Sequence, residues 1–443
     1  MSTYLRVLRH PDFRYLFFGQ SASAIGDQVV VVALALYITQ RTGRPTDLGL
    51  VLAAQSVPMV ALLLFGGVWA DRLPRHRIMI VCDLIRALLH AVLAGLILTG
   101  GASVGEMVVI EALFGAARAF FAPAYTGLLP QTIGEEHKQD AWALSATTAN
   151  LAILVGPALG TVLVLVLGAG EAFAFDAATF VLSAVLLARV RPRARARSAT
   201  VAPRQPMLTE LRAGFREVIS RPWVAVTIAA FAGAMLSCYA QYYALAPVIA
   251  RDVYGGAGVF GVLESVAGGG AVIGALVGIR WRPRRPLRTG LLMTLVWPLS
   301  AFTFALGAPV PAVVPLFFSV GFGFSLFGIW WETSLARNVA PHALSRVSAY
   351  DWMGSLALLP LGFALAGPLA AALGARTVLA GGSVVAFVLL ALALVPRSTR
   401  ELGGADAYAV AASSAEQRAR EVGVELGGEA EVADVDSLVG VVD

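Results

Sequence analysis

Asp27, Glu111, Arg118 and Glu264 each stand inside a long apolar stretch, where a charge meets little water. A carboxyl in such surroundings either exchanges a proton as its pocket changes between wet and dry, or acts as counter-charge to a cationic solute. Asp27 lies about twelve residues from either end of the apolar run 15–39, too deep for its side chain to reach a headgroup. It can carry that chemistry, or it can be a hydrogen-bonded structural carboxyl beside Gly26 and Gln28. Glu111 and Arg118 are seven residues apart, two helical turns, and therefore share a face. A direct pair would be stretched, which sends each to partners on other helices. Glu264 falls about two turns into the run 257–280, among Gly261, Gly268, Gly269, Gly270 and Gly274. The glycines serve close helix approach, and the carboxylate is left to face a cavity. Tyr239, Gln241, Tyr242 and Tyr243 offer rings and polar tips that suit the lining of a cavity for a planar or amphipathic solute. Trp330 and Trp331 offer similar surface, or anchor a helix at a membrane boundary.

Other chemistry is missing from the sequence. It holds no HExxH, Walker loop, CxxC or Ser-His-Asp arrangement, and the five histidines, His10, His76, His90, His137 and His342, are scattered. The expectation is a protein that is not an enzyme, with no metal and no cofactor.

A second cluster runs from Gly67 to Arg77, where one apolar run ends and the next begins. A glycine for close helix approach, Asp71 at a helix end, and Arg72, Arg75 and Arg77 around it form a compact charged clasp able to close and reopen. The plainer alternative is a basic turn on the inner side of a membrane. Asp83 and Arg86 follow three apart on the next helix and read as part of the same clasp, paired with each other or with the loop.

The elements that hold these residues must be membrane helices. At 58% hydrophobic, 14% charged and a mean hydropathy of +0.76, the 443 residues carry more apolar surface than a soluble core can hide. Runs long enough to span a bilayer occur at 15–39, 48–70, 78–99, 103–123, 142–168 and 171–189, then at 223–250, 257–280, 287–307, 310–331, 347–373 and 376–396. The first run is too long for a signal sequence and is expected to stay as a spanning helix. Cys82 and Cys238 both fall inside apolar runs, which excludes a disulfide framework.

The net charge of +5 does not indicate nucleic acid, because the basic residues form short runs between apolar segments. They gather on one side: Arg6, Arg9 and Arg14; the clasp; Lys138; the nine arginines from Arg189 to Arg221; the five from Arg280 to Arg288; Arg337, Arg346, Arg397 and Arg400. The other side holds Arg41, Arg44, Arg251 and Arg376. The loaded side is read as cytoplasmic, with both termini on it.

The layout is an all-α polytopic membrane protein, with twelve transmembrane helices in two pseudo-symmetric six-helix bundles. Residues 1–189 form the first bundle and 222–396 the second. Between them, 190–221 begins as an Arg/Pro/Ala linker and then reads Leu208, Leu211, Phe215, Val218 and Ile219, an amphipathic surface helix. The stretch 397–443, rich in Gly, Ala, Glu and Asp, is expected to be a mostly disordered cytoplasmic tail. The halves echo each other: residues 154–168 align with 360–374, matching Gly156 with Gly362, Leu163 with Leu369 and Gly168 with Gly374. Both segments are the fifth helix of their half, and duplicated halves are a transporter architecture.

On these residues the chain resembles the major facilitator superfamily. Gly67, Asp71, Arg72, Arg75 and Arg77 match its signature between the second and third helices, with Pro74 in place of a glycine and His76 in place of a basic residue. Residues 23–27, 83–86, 118–124, 156–160 and 254–264 resemble its macrolide-efflux and enterobactin-exporter branch. That resemblance implies export of a small amphipathic molecule such as a drug, antibiotic or siderophore, by alternating access and proton antiport, across the cytoplasmic membrane. It makes Arg118 the counterpart of a helix-4 arginine tied to proton and substrate handling, with a pin between helices as the alternative. Gly156, Pro157 and Gly160 resemble the core of a helix-5 antiporter motif, without its wider glycine repeat. The expected partners are the bilayer and a small solute, the expected state a monomer, and the energy source a proton gradient. The competing readings are a transporter-like membrane sensor, or a lipid or metabolite transporter without proton coupling.

Overall fold

The structure is a computed structural model that describes residues 6–134, 137–192, 207–339 and 341–402. Inside a bilayer no backbone group can be left bare, so each apolar run closes its hydrogen bonds within itself as a helix. The first six helices are α1 (Pro11–Arg41), α2 (Pro45–Arg72), α3 (Arg75–Thr99), α4 (Val104–Leu128), α5 (Lys138–Val166) and α6 (Ala169–Leu187). A short helix, α7 (Met207–Ile219), precedes α8 (Pro222–Tyr254), α9 (Gly258–Arg280), α10 (Pro286–Ala305), α11 (Val310–Asn338), α12 (Pro341–Leu356), α13 (Leu359–Leu373) and α14 (Ala375–Leu392). Among the described residues, eleven spans are long and apolar enough to cross a membrane, and the apolar part of α5, Leu151–Val166, makes the twelfth crossing. The fold is that of a twelve-helix, all-α membrane protein.

Two apolar runs break where a proline falls. A proline lacks the N–H and crowds the carbonyl four residues back. Pro298 interrupts α10 between Thr294 and Val296, and Pro360 separates α12, ending at Leu356, from α13. A third departure is a π turn at Met235–Tyr239 inside α8.

Glycines set the closest helix approaches. In the first half, a Cβ on Gly115 of α4 would stand 1.9 Å from the Gln55 carbonyl oxygen of α2. In the second half, a Cβ on Gly270 or Gly274 of α9 would strike the Phe318 or Phe322 carbonyl of α11. The two halves meet along two seams related by a pseudo-twofold: α5 packs on α9, and α13 packs on α2. The fifth helix of each half therefore lies on the second helix of the other. In each seam a threonine faces a glycine, Thr161 against Gly261 and Thr46 against Gly367. These contacts, with Gly49 on the Phe363 carbonyl and Arg251 Nη1 donating to the Thr39 carbonyl at 3.3 Å, lie in the half away from the arginine-rich loops. The molecule is thus shut at that end.

The linker helix α7 packs on α8 and α12, with Val218 buried and the Phe215 ring 6.1 Å from Tyr350. The side chains of Leu208 and Leu211, the stretch 193–206 and the tail from 403 onward lie outside the described residues.

Candidate functional site

A π turn inserts one residue into a helix and resets the faces that follow. In α8 it ends at Tyr239, which then shares a side with Tyr243 one turn on, their ring centroids 4.5 Å apart. Tyr243 donates its hydroxyl to Glu264 Oε2 of α9 at 2.7 Å. All three side chains are partly accessible. Arg118 of α4, in the other bundle, is exposed, and its charge acts on Tyr239 across the gap between the bundles. One bundle thus presents a carboxyl braced by Tyr243, and the other an exposed guanidinium.

The other two members of the tyrosine cluster do not line the cavity. Gln241 is buried and donates to the Gly362 carbonyl at 3.0 Å, tying α8 to α13. Tyr242 is buried among Phe260, Phe304 and Phe317. The π turn placed them on the packing face. Trp330 and Trp331 are also buried rather than anchoring or lining: Trp331 Nε1 donates to Asp351 Oδ2 at 2.8 Å, and Trp330 packs on Trp281.

In the first bundle, Glu111 and Arg118 differ in surroundings although their spacing puts them on one helical face. Arg118 is exposed and Glu111 wholly buried, accepting from Gln55 Nε2 of α2 at 2.7 Å. Beside it lies His90 of α3, whose Nδ1 is 2.5 Å from Asp176 Oδ2 of α6. The imidazole stacks on Phe114 at 4.2 Å between centroids and is edged by Phe173 and Phe180. One turn back on α3, Arg86 pairs with Asp83 and sits 4.2 Å over the rings of Phe121 and Phe180.

Asp83 and Arg86 thus pair with each other, one of the two arrangements their spacing allows, and they are buried between α1, α3, α4 and α6. Ser183 donates to Asp83 Oδ2 at 2.7 Å and accepts from Gln20 at 3.0 Å. Gln20 lines a cavity of about 150 Å³ with Phe17, Ser21, Ala24, Tyr125, Ser145, Thr148 and Ala149. A chain of polar groups thus runs from an open cavity to the ion pair. Asp27, partly accessible on α1, acts electrostatically on both Asp83 and Asp176.

Of the clasp itself, Gly67, Asp71 and Arg72 lie in the last turns of α2, and their side chains lie outside the described residues. Arg75 donates to the Gly127 carbonyl at 2.6 Å, within its own bundle, and Arg77 is exposed. Gly156 and Gly160, flanking the buried Pro157, press α5 against Gln28 and Val29 of α1.

Sequence reasoning missed His90, Asp176 and Gln55. A signal was present: Asp83, Arg86 and His90 are spaced three and four apart, one polar stripe on an otherwise apolar helix. Asp176 is likewise a carboxyl inside an apolar run. The helix contact that holds Gln55 on Glu111 allows a direct check. Gly115→Ala is expected to lower stability by about 1–3 kcal/mol through overpacking against Gln55. Thermal unfolding of the purified protein measures it, and an unchanged melting temperature would contradict this packing.

Two six-helix halves, sealed at one end and holding charged groups between them, are the architecture of a solute transporter. The chain belongs to the Major Facilitator Superfamily, which it matches over residues 16–355. It is 26% identical over 409 residues to the multidrug efflux pump Tap of Mycolicibacterium fortuitum, covering 89% of this chain and 97% of that one. It is 28% identical to the enterobactin exporter EntS of Citrobacter koseri, covering 87% and 91%. Among solved structures it resembles a bacterial homologue of the lysosomal transporter Spinster in an inward-facing, unoccupied conformation, with a TM-score of 0.64, 16% identity and coverage of 91% and 99%. The nucleoside transporter NupG gives a TM-score of 0.65 at 14% identity, covering 86% and 98%. The protein is a multi-pass membrane transporter of this superfamily.

Proposed function

We propose that this transporter exports small amphipathic molecules that carry a positive charge, out through the cytoplasmic membrane, in exchange for protons. The observation that carries the reading is Glu264, a partly accessible carboxylate held by Tyr243 beside the Tyr239 ring. A carboxylate next to aromatic faces recognises a flat cation by charge and by ring contact together. Arg118 opposes it from the first bundle and sets where the remainder of the solute lies.

The arginine-rich end is assigned to the cytoplasm, with both termini there, because basic residues collect on the inner side of membranes. The seams at Thr46–Gly367 and Thr161–Gly261 then close the outer end, and the cavity opens inward to collect solute. Rocking of one bundle against the other opens the outer end. Asp71 and the arginines of the Gly67–Arg77 loop then latch the inner end. Protons taken up from outside by carboxyls of the first bundle, Asp27 and Glu111, disfavour the loaded state and return the carrier. A single chain contains both bundles and both seams, so it works as a monomer.

The test is ethidium retention in cells with and without the protein, before and after a protonophore. Expression should lower retention, and the protonophore should abolish the difference. Equal retention in both cell lines would refute export of this class.

A further inference from the structure

The first bundle holds a charge cluster that the cavity does not use, and we propose that it is a buried proton-binding site whose proton lies between His90 Nε2 and Glu111 Oε1. The proposal rests on the proton-coupled reading above and names where that proton sits.

Three sides of the site are fixed. Asp176 holds His90 Nδ1 at 2.5 Å, Gln55 holds Glu111 Oε2 at 2.7 Å, and Phe114 covers the imidazole face. The fourth side is open: His90 Nε2 and Glu111 Oε1 face each other at 3.6 Å, both fully buried, and neither has a hydrogen-bond partner. Two such groups left bare in an apolar bundle are costly, and one proton between them satisfies both. The step balances as uptake and transfer: a proton bonds to Glu111 Oε1, then the Glu111 O–H bond breaks as the His90 Nε2–H bond forms, leaving an imidazolium against a carboxylate. Contraction from 3.6 Å toward an ordinary hydrogen-bond length of about 2.8 Å goes with it.

The groups around the site make proton uptake a necessity of charge. Asp27 from α1, Asp83 from α3, Glu111 from α4 and Asp176 from α6 are four carboxyls against two basic groups, Arg86 and His90 of α3. Among the described residues, α2 contributes the neutral Gln55. A membrane-embedded cluster with an excess of carboxyls cannot ionise them all, so it binds protons as a unit. The Gln20–Ser183–Asp83 chain runs from the cavity on α1 to Arg86, one helical turn from His90.

Occupancy is tied to the seam through α2. Gln55 follows Glu111, and α2 also carries Thr46 and Gly49, which close the outer end against Gly367 and Phe363. Contraction of His90 and Glu111 therefore pulls on the helix that forms the outer gate.

The experiment is nitrogen NMR of the full chain in lipid nanodiscs, with labelled imidazoles and the His90 signal assigned by its loss in His90→Gln. In the wild type, His90 Nε2 should change protonation with pH, and the midpoint should differ in Glu111→Gln. An imidazole with a constant state, or one indifferent to Glu111→Gln, overturns the proposal. Because the wild type carries the first readout, a variant that fails to fold does not blunt it. In vesicles, Glu111→Gln should cut ethidium transport driven by a pH gradient about tenfold. Should the wild type transport ethidium without regard to pH while His90 still titrates with Glu111, the antiport reading fails and the proton site stands. Antiport by a protein whose His90 does not titrate defeats the site alone.

Discussion

Replacing Glu264 with glutamine is expected to weaken ethidium binding about thirtyfold, the equivalent of roughly 2 kcal/mol for a charge lost from a partly dry contact. Glutamine keeps the volume and can still accept from Tyr243, so the 2.7 Å contact and the tyrosine wall survive. Only the charge is removed. An uncharged amphipathic solute should bind both proteins alike, which separates loss of counter-charge from damage to the cavity. Fluorescence titration of the purified protein gives both affinities. Equal ethidium affinity in the two proteins would remove Glu264 from substrate recognition and leave Arg118 and the tyrosine rings as its wall.

Arg86→Leu is expected to cost about 3–5 kcal/mol of stability, the largest loss of any single change considered for the first bundle. Asp83 and Arg86 are both essentially shielded from solvent, and the guanidinium also lies 4.2 Å over Phe121 and Phe180. Leucine fills part of the space yet leaves Asp83 with Ser183 as its remaining hydrogen-bond donor. The double variant Asp83→Asn with Arg86→Leu removes the stranded charge and should recover much of the loss. Thermal unfolding in detergent compares the three proteins. A double variant as unstable as Arg86→Leu would show that the ring contacts, not the ion pair, hold this part of the bundle.

The twelve crossings were legible because a membrane forces a simple code: a long apolar run must become a helix, and the arginines then sort the ends. The code says little about what happens inside a run. Breaks fall at Pro298 and Pro360 while Pro58, Pro123, Pro157, Pro247, Pro315 and Pro368 stay inside continuous helices, and the π turn at Met235–Tyr239 has no sequence mark. The four-residue spacing groups Tyr239 with Tyr243, and the π turn before them sets which way that face points. The charge cluster shows a similar limit. Glu111 was visible as a buried acid, but its partners come from α2, α3 and α6, and the choice among them is made by helix packing at glycines such as Gly115. Asp83 and Arg86 fell within reach of the loop by sequence distance and turned inward because α6 offers Ser183 and Phe180.

Two parts of the molecule thus divide the work of the proposed cycle. The second bundle supplies the wall that meets the solute, and the first supplies the carboxyl-rich interior that meets the proton. The seams that shut one end join them, since α2 carries both Gln55 and the residues packed on α13.

The most direct test of proton-driven export is to reconstitute the protein into sealed liposomes and record ethidium and internal pH together. For molecules whose arginine-rich face points outward, an acidic interior should drive ethidium inward while the interior turns alkaline, and both signals should vanish when the gradient is collapsed. Ethidium movement with no accompanying proton flux, or no movement under any gradient, would contradict it.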